Sequence, residues 1–501
     1  MQGVKKLTIV GGGAAGWMAA IYLNKYFNSS QQNFAITVLE SPDIGVIGVG
    51  EATVHSIRFF FAAMGLDETE LLQHAHGTLK TGILFRNWMK PVNGQMHEYF
   101  HPFEQQQLGR DIDISSSWLL NRRFKQERYD QGVSLSAHLM AQNHSPKGRQ
   151  SAPFQGVVPY GYHVDAVLMA RYLRDKAVAA GVSHISDTIT EVTVLDGNIA
   201  SVSSASARYS ADIFIDATGF NGLLINKLSD NNWQSFSNAL PCNRAVALQR
   251  EHEPGYQPKS YTTATALDYG WAWQIDLSSR QGTGYVYDGN RLSPEQAEQE
   301  LRAFLGPESK VLKTKHLQMH VGCRKAFWLG NCIAIGLSGG FIEPLESTGL
   351  HLINLGVRLL GTHLGAAEVT QSVRDAYNKA MDGFYQDLKQ FIVLHYCLTN
   401  RDDTPFWQAA PDTARHCNGL LEKLALWRHK ICEYHDLAGG YATTFTDENY
   451  RFILYGMQHY PKLHMQLGAD AQQPFAQLQS RVQQALNMTV PHSEFLARLR
   501  H

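Results

Sequence analysis

The stretch Leu7-Thr8-Ile9-Val10-Gly11-Gly12-Gly13-Ala14-Ala15-Gly16 decides the fold. A short apolar run enters a G-x-G-x-x-G turn, and Trp17-Met18-Ala19-Ala20-Ile21-Tyr22-Leu23 continues as a helical pattern. The run predicts the first strand of a buried parallel sheet. Gly11 permits the tight turn, Gly13 lets backbone approach a pyrophosphate, and Gly16 lets the helix pack closely on the strand. The helix start at Ala14 and Ala15 offers unpaired N–H groups and a partial positive charge to phosphates. A second strand is predicted over Ala35-Ile36-Thr37-Val38-Leu39, and it ends in Glu40, an acceptor for ribose hydroxyls. The turn alone does not separate NAD from FAD. Two later strand–glycine junctions, Asp212 to Phe220 and Cys332 to Gly336 with Gly339 and Gly340, favour FAD, because a large flavin needs several places where backbone comes close.

The rest of the composition narrows the class. The chain has 501 residues, 44% apolar and 18% charged, which is ordinary globular composition. Lysine plus arginine is 44 against 45 acidic residues, so no bulk charge draws the chain to nucleic acid or an anionic membrane. The six cysteines, at 242, 323, 332, 397, 417 and 432, include no C-x-x-C pair, and buried free thiols are expected. No metal site is read from the sequence. Lys5 and Lys6 before Leu7 to Leu23 look superficially like a secretion signal, but glycines at 11, 12, 13 and 16 interrupt it. A cytoplasmic location is therefore expected.

Periodicity organises the remainder. Tyr160 to Ala180 reads as a helix stopped by Gly181, and Ile189 to Phe214 as antiparallel strands turned at Asp196-Gly197-Asn198. Trp271 and Trp273 alternate with small or polar residues, the pattern of a half-buried strand. Asp375 to Tyr396, Thr413 to Tyr434 and Glu448 to Tyr455 carry apolar residues at helical spacing. The expected fold class is α/β, an FAD-binding Rossmann-like core of the flavin monooxygenase type, with a mixed substrate-side sheet and a C-terminal helical lobe. The expected division is a core over residues 1–370 and a mainly helical lobe over 371–501 that closes the substrate pocket.

Several segments, in order, resemble the flavin-dependent tryptophan halogenases. They are Gly11 to Gly16, Gly48-Val49-Gly50-Glu51-Ala52-Thr53, Lys80-Thr81-Gly82-Ile83, Gly270-Trp271-Ala272-Trp273-Gln274-Ile275, and Gly340-Phe341-Ile342-Glu343-Pro344-Leu345-Glu346-Ser347-Thr348-Gly349. The resemblance implies an enzyme that takes FADH2 from a separate flavin reductase and forms a flavin hydroperoxide with O2. Chloride or bromide is then oxidised to hypohalous acid, which reaches a lysine that presents halogen to an aromatic ring. By position, Lys80 matches the essential lysine and Glu346 its partner carboxylate. Thr348 and Gly349 match the halide site, Gly50 and Ala52 lie in a flavin segment, and Leu337 and Leu350 match residues lining the flavin ring. His101 and Phe103 match an aromatic pair against the substrate, expected to be an indole or a tryptophan-like ring. The resemblance makes Trp271 and Trp273 a wall that keeps organic substrates from the peroxide. The family's W-x-W-x-I-P has Asp276 in place of proline here, which removes a rigid turn.

The chemistry agrees with these residue types. Hypohalous acid is indiscriminate in water, so selectivity requires a dry, shaped passage. An ammonium can donate a hydrogen bond to the oxidant or, as a neutral amine, form a haloamine. A carboxylate nearby would stabilise the cationic ring and accept the proton that restores aromaticity. Tryptophan-specific relatives carry a second wall with a Trp in the C-terminal region. This chain has no Trp after Trp427 and offers Tyr441, Phe445, Glu448, Tyr450, Phe452 and Tyr455. Two alternatives share the flavin fold: an aromatic hydroxylase, and a flavin-binding module without turnover. Lys80 with Glu346 and the Trp271/Trp273 wall discriminates against the first.

Overall fold

The first strand forms over Lys5–Val10 in a computed structural model that describes residues 4–45, 50–104, 114–121, 127–307, 309–437, 444–464 and 472–499. Leu7, Ile9 and Val10 are buried, as a strand covered on both faces requires. It pairs in parallel with Phe34–Glu40 on one side and Ile213–Asp216 on the other. The full sheet has six strands, ordered Trp328–Leu329, Cys332–Ala334, Ile213–Asp216, Lys5–Val10, Phe34–Glu40, Ser183–Ser186. The pair Trp328–Leu329 with Cys332–Ala334 is antiparallel. Helix Ala14–Asn28 connects the first two strands and buries Trp17, Met18, Ala19 and Ala20. Each strand read from the sequence as part of the nucleotide core lies in this sheet, and the expected fold class is the one observed.

The chain forms two units, each assembled from three stretches. The first comprises Met1–His76, Val164–Phe236 and Met319–Gln386, and it contains the parallel sheet. The second comprises Gly77–His163, Ser237–Gln318 and Asp387–His501. Its centre is a seven-stranded sheet ordered Val311–Gln318, Arg244–Arg250, Gln281–Tyr287, Gly270–Asp276, Thr262–Leu267, Gly82–Arg86, Glu98–Pro102. The pair Thr262–Leu267 with Gly82–Arg86 is parallel and the others are antiparallel, which makes this the mixed sheet expected.

Four local readings need correction. Gly161–Asp165 is a strand, and the helix starts only at Ala166, because the Asp165 carboxylate accepts the Val167 and Leu168 N–H groups and caps it there. The hairpin Glu191–Leu195 with Asn198–Ser203 turns at Asp196 and Gly197, both at positive φ, but Phe214 belongs to the parallel sheet. The stretch after Thr413 is broken. Gly419 takes a left-handed conformation (φ 73°), so only Leu420–Leu426 continues as α-helix. Strand Gly270–Asp276 is buried on both faces, since Ala272 packs against Val246, Tyr285 and Leu301 while both tryptophans are also enclosed. The helices Gln371–Cys397 and Asp447–Gly456 form where expected. Gly48, Val49 and Tyr441 lie outside the described residues. Among the described residues, no helix is long and apolar enough to cross a membrane.

Candidate active site

In the first unit the glycine turn is built by backbone contact. A Cβ on Gly11 (φ 115°) would run into the Ala217 carbonyl, and one on Gly16 into the Gly11 carbonyl. Gly13 differs, because a Cβ there would meet nothing within 4 Å. Gly13 is also the N-cap of helix Ala14–Asn28, and no side chain caps that end. Gly12 lets the Glu40 carboxylate lie against the turn, since a Cβ would strike it. Glu40 Oε2 is 3.0 Å from His184 Nε2 yet takes no hydrogen bond. An open backbone cradle, an uncapped helix start and a carboxylate oxygen awaiting a donor fit the pyrophosphate and ribose of a dinucleotide flavin.

Gly50 and Ala52 lie on the short strand Gly50–Ala52, both buried. Between them, burial raises the Glu51 carboxyl to about 7. Ser56 Oγ is 2.8 Å from His351 Nδ1, and burial lowers both His55 and His351 to about 4, so these imidazoles are neutral at neutral pH. Glu346 is fully buried at the end of a single turn, Pro344–Glu346. Ser347 follows with φ 61°, and Thr348 then caps helix Gly349–Leu364 without a side-chain hydrogen bond. Gly349 again leaves space, with nothing within 4 Å of a Cβ. Leu350 is buried and Leu337 half-buried. The segment thus places a buried carboxylate and an uncapped, positively polarised helix start three residues apart in sequence.

In the second unit Lys80 ends the strand Thr78–Lys80 and is fully buried. Its Nζ lies over the Phe103 ring, 4.8 Å from the centroid. The Phe103 N–H donates to the Thr81 carbonyl at 2.8 Å, which fixes that ring beside the lysine. Strand Gly82–Arg86 pairs with Glu98–Pro102 so closely that a Cβ on Gly82 would meet the His101 carbonyl and Pro102 Cα. His101 is fully buried, its Nε2 3.0 Å from Asn449 Nδ2, with Phe391, Phe445 and Phe452 around the ring at 5.8, 6.0 and 6.1 Å between centroids. Of the aromatics offered for the second wall, Phe445 and Phe452 therefore reach His101. Tyr450 instead packs on Trp427 and Phe391, and Tyr455 on Tyr129 and Tyr460.

Sequence reasoning missed the frame that holds the lysine strand. Thr78 Oγ1 donates to the Asp276 carbonyl at 2.6 Å and lies 3.1 Å from His163 Nδ1. The Leu79 N–H donates to His492 Nε2 at 3.2 Å, and the Thr81 N–H to the Ser260 carbonyl at 2.7 Å. Asp276, the departure from the family pattern, accepts from the Tyr256 hydroxyl, the Lys259 N–H and Gln281 Nε2 at 2.7, 2.8 and 2.6 Å. Where proline would stiffen a turn by its ring, the carboxylate ties three segments together.

The tryptophan halogenase family model matches residues 6–473. The chain belongs to the tryptophan halogenase family. A tryptophan 6-halogenase, SttH of Streptomyces toxytricini, is 36% identical over 85% of this chain and 84% of its own. A 7-chloro-L-tryptophan 6-halogenase, KtzR of Kutzneria sp. (strain 744), is 35% identical over 99% of both chains. Among solved structures, Tar14, a tryptophan C-6 flavin-dependent halogenase (chlorinase) from taromycin biosynthesis, superposes with a TM-score of 0.89 at 32% identity, over 99% of this chain and 100% of that one. This protein is thus a flavin-dependent halogenase.

Proposed function

We propose that this halogenase chlorinates or brominates an indole or tryptophan-like aromatic, with Lys80 presenting the halogen. The observation that supports it most is a lysine side chain buried completely in a polar-clamped strand and set over an aromatic ring. An ionisable group is kept in such a place only for a partner or a task.

Gly11, Gly13, Ala14, Ala15 and Gly16 would hold the flavin pyrophosphate, Glu40 a ribose, and Gly50, Ala52, Leu337 and Leu350 the ring system. Bound reduced flavin, received from a separate reductase, would supply with O2 the two-electron oxidation that turns halide into hypohalous acid. Thr348 and Gly349 would hold the halide through the N–H groups of the uncapped helix start. Lys80 Nζ would donate a hydrogen bond to the oxidant's oxygen and orient its halogen toward the ring. The O–X bond would break as the C–X bond forms, and the hydroxide released would take the proton that Lys80 Nζ donates to it and become water. Glu346 would accept the proton lost from the ring carbon. His101 and Phe103 would flank the aromatic substrate. The helices from Gln371 onward would close the pocket; Asn449 and Phe452, both on helix Asp447–Gly456, already reach His101. The apolar surroundings, and the lack of a Trp after Trp427, favour a substrate less zwitterionic than free tryptophan.

The test is oxidation of reduced flavin with chloride or bromide and a panel of indoles including tryptophan, read by mass spectrometry for the halogen isotope pattern. Lys80→Ala is expected to bind flavin within about twofold of wild type and to lose halogenation by about 10³-fold or more. Normal halogenation by that variant, or a hydroxylated product from wild type, overturns the reading.

A further inference from the structure

We propose that His492, at the start of the last helix, is a positioning residue for Lys80, acting through a chain of neutral hydrogen bonds. The proposal rests on the reading of Lys80 as the halogen-presenting group. His492 is fully buried and its two ring nitrogens have different partners. Nε2 takes the Leu79 N–H, one residue before the lysine, so it carries no proton there. Nδ1 must then hold the proton, and it lies 3.0 Å from the Pro258 carbonyl that accepts it. Burial lowers the imidazole to about 4, which keeps this tautomer neutral across neutral pH.

The loop at Pro258 is itself pinned. Asn143, in the left-handed region at φ 51°, donates from Nδ2 to the Pro258 carbonyl at 3.1 Å and accepts the Ser260 N–H at 2.9 Å. Its carbonyl accepts the His492 N–H at 2.9 Å. Ser260 in turn accepts the Thr81 N–H. The residues on both sides of Lys80 are therefore tied, through His492 and through Ser260, to one asparagine. The other end of the strand is tied as tightly. The Thr78 hydroxyl gives its proton to the Asp276 carbonyl, so His163 Nδ1 must donate to Thr78 Oγ1. His163 Nε2, 2.9 Å from Thr262 Oγ1, then accepts. Both histidines are uncharged, so the frame holds the lysine strand without adding a second cation beside Nζ. A frame this specified sets the direction in which Nζ points, and a displacement of about 1 Å at a reacting atom costs about 10²-fold in rate.

The experiment compares His492→Asn, His492→Gln and Lys80→Ala with wild type, using bromide and indole. It reads halogenated product per reduced flavin oxidised, flavin oxidation rate, KM for indole, oxidant trapped by a β-diketone scavenger, and thermal midpoint. Asparagine can donate where Nδ1 does but does not reach the Leu79 N–H; glutamine places an acceptor near the position of Nε2. His492→Asn is expected to lower product per flavin about tenfold or more, with KM and flavin oxidation unchanged and the missing oxidant recovered by the scavenger. His492→Gln is expected to recover coupling to within about threefold. Wild-type coupling in His492→Asn overturns the proposal, and so does an equal loss in both variants that merely follows the thermal midpoint. Should His492→Asn not fold, Thr78→Val against Thr78→Ser carries the same test from the opposite end of the frame, with coupling lost in the first and kept in the second; wild-type coupling in Thr78→Val overturns the proposal. If Lys80→Ala itself halogenates normally, the lysine reading has failed; if it is silent while His492→Asn is fully coupled, the positioning role alone has failed.

Discussion

The glycine turn and the lysine strand solve opposite problems. Around Gly11 to Gly16 the chain removes side chains so that backbone can close on itself and leave a cradle at Gly13. Around Lys80 it adds them. His163, Asp276, Ser260, Asn143 and His492, drawn from distant parts of the sequence, fix Thr78, Leu79 and Thr81 around it. The first site is defined by what is absent. The second is defined by directed bonds, the kind of support that the aiming role proposed for Lys80 would need.

The sharpest way to break this contrast is at Asp276. Asp276→Ala removes the acceptor of the Lys259 N–H, the Tyr256 hydroxyl and Gln281 Nε2, each within 2.8 Å of the carboxylate, while Gln281 Nε2 keeps the Tyr256 hydroxyl at 3.4 Å. Leaving donors unpaired costs about 1–3 kcal/mol each when they are buried, and with two of the three half-buried the expected total is about 2–3 kcal/mol in urea unfolding, with halogenation falling further than flavin binding. A loss below about 1 kcal/mol would mean the frame is not held in this way.

On the other side, Gly16→Ala drives a Cβ into the Gly11 carbonyl, an atom of backbone that cannot swing away. Overpacking of that kind costs about 1–3 kcal/mol, and flavin affinity should fall with it. Gly13→Ala sharpens the comparison, because its Cβ meets only open space. Stability should stay within about 0.5 kcal/mol while flavin affinity, followed by fluorescence titration, drops about tenfold. Equal effects of the two alanines on folding would remove the distinction between a packing glycine and a cradle glycine.

The same contrast explains what could be read in advance. The parallel sheet, the turn, Glu40 and the motif at Gly340 to Gly349 are local in sequence, because close backbone approach leaves a mark in consecutive residues. Lys80 stands out in the sequence only through its motif, and its contact with Phe103 does not, since the Nζ–ring contact depends on the pairing of Gly82–Arg86 with Glu98–Pro102. The helix misread over Tyr160 to Asp165 hid His163, whose place opposite Thr78 exists only once Gly161–Asp165 is a strand. His492 and Asn143 carry no motif. Their bonds to Leu79 and to the loop of Pro258 and Ser260 span separations that no spacing rule reports. Asp276 was visible as a departure, but its compensation required Tyr256, Lys259 and Gln281 in place.

The smallest effect is an acid one, carried by a single imidazole of the lysine frame. His492 has its folded value lowered to about 4 by burial, against smaller opposing effects of its bond to Pro258 and the Asp276 charge. The unfolded chain binds a proton near 6.5 that the folded one refuses, so stability from this group is lost as pH falls from about 6.5 through 4. At pH 5.5 the loss is about 1 kcal/mol relative to pH 8. Glu51, on the flavin side, works the other way: its carboxyl is raised to about 7, so its contribution is lost as pH rises from about 4.5 through 7. Wild type alone sums these opposed slopes, together with those of His55 and His351. The difference between wild type and His492→Gln in urea midpoint, measured from pH 8 to 5, isolates the one imidazole. It should shrink on acidification, because glutamine has no proton to take up and wild type does. A difference that stays constant over that range would mean His492 titrates in the folded chain as it does in the unfolded one, and Nε2 could not then be held as the acceptor of the Leu79 N–H.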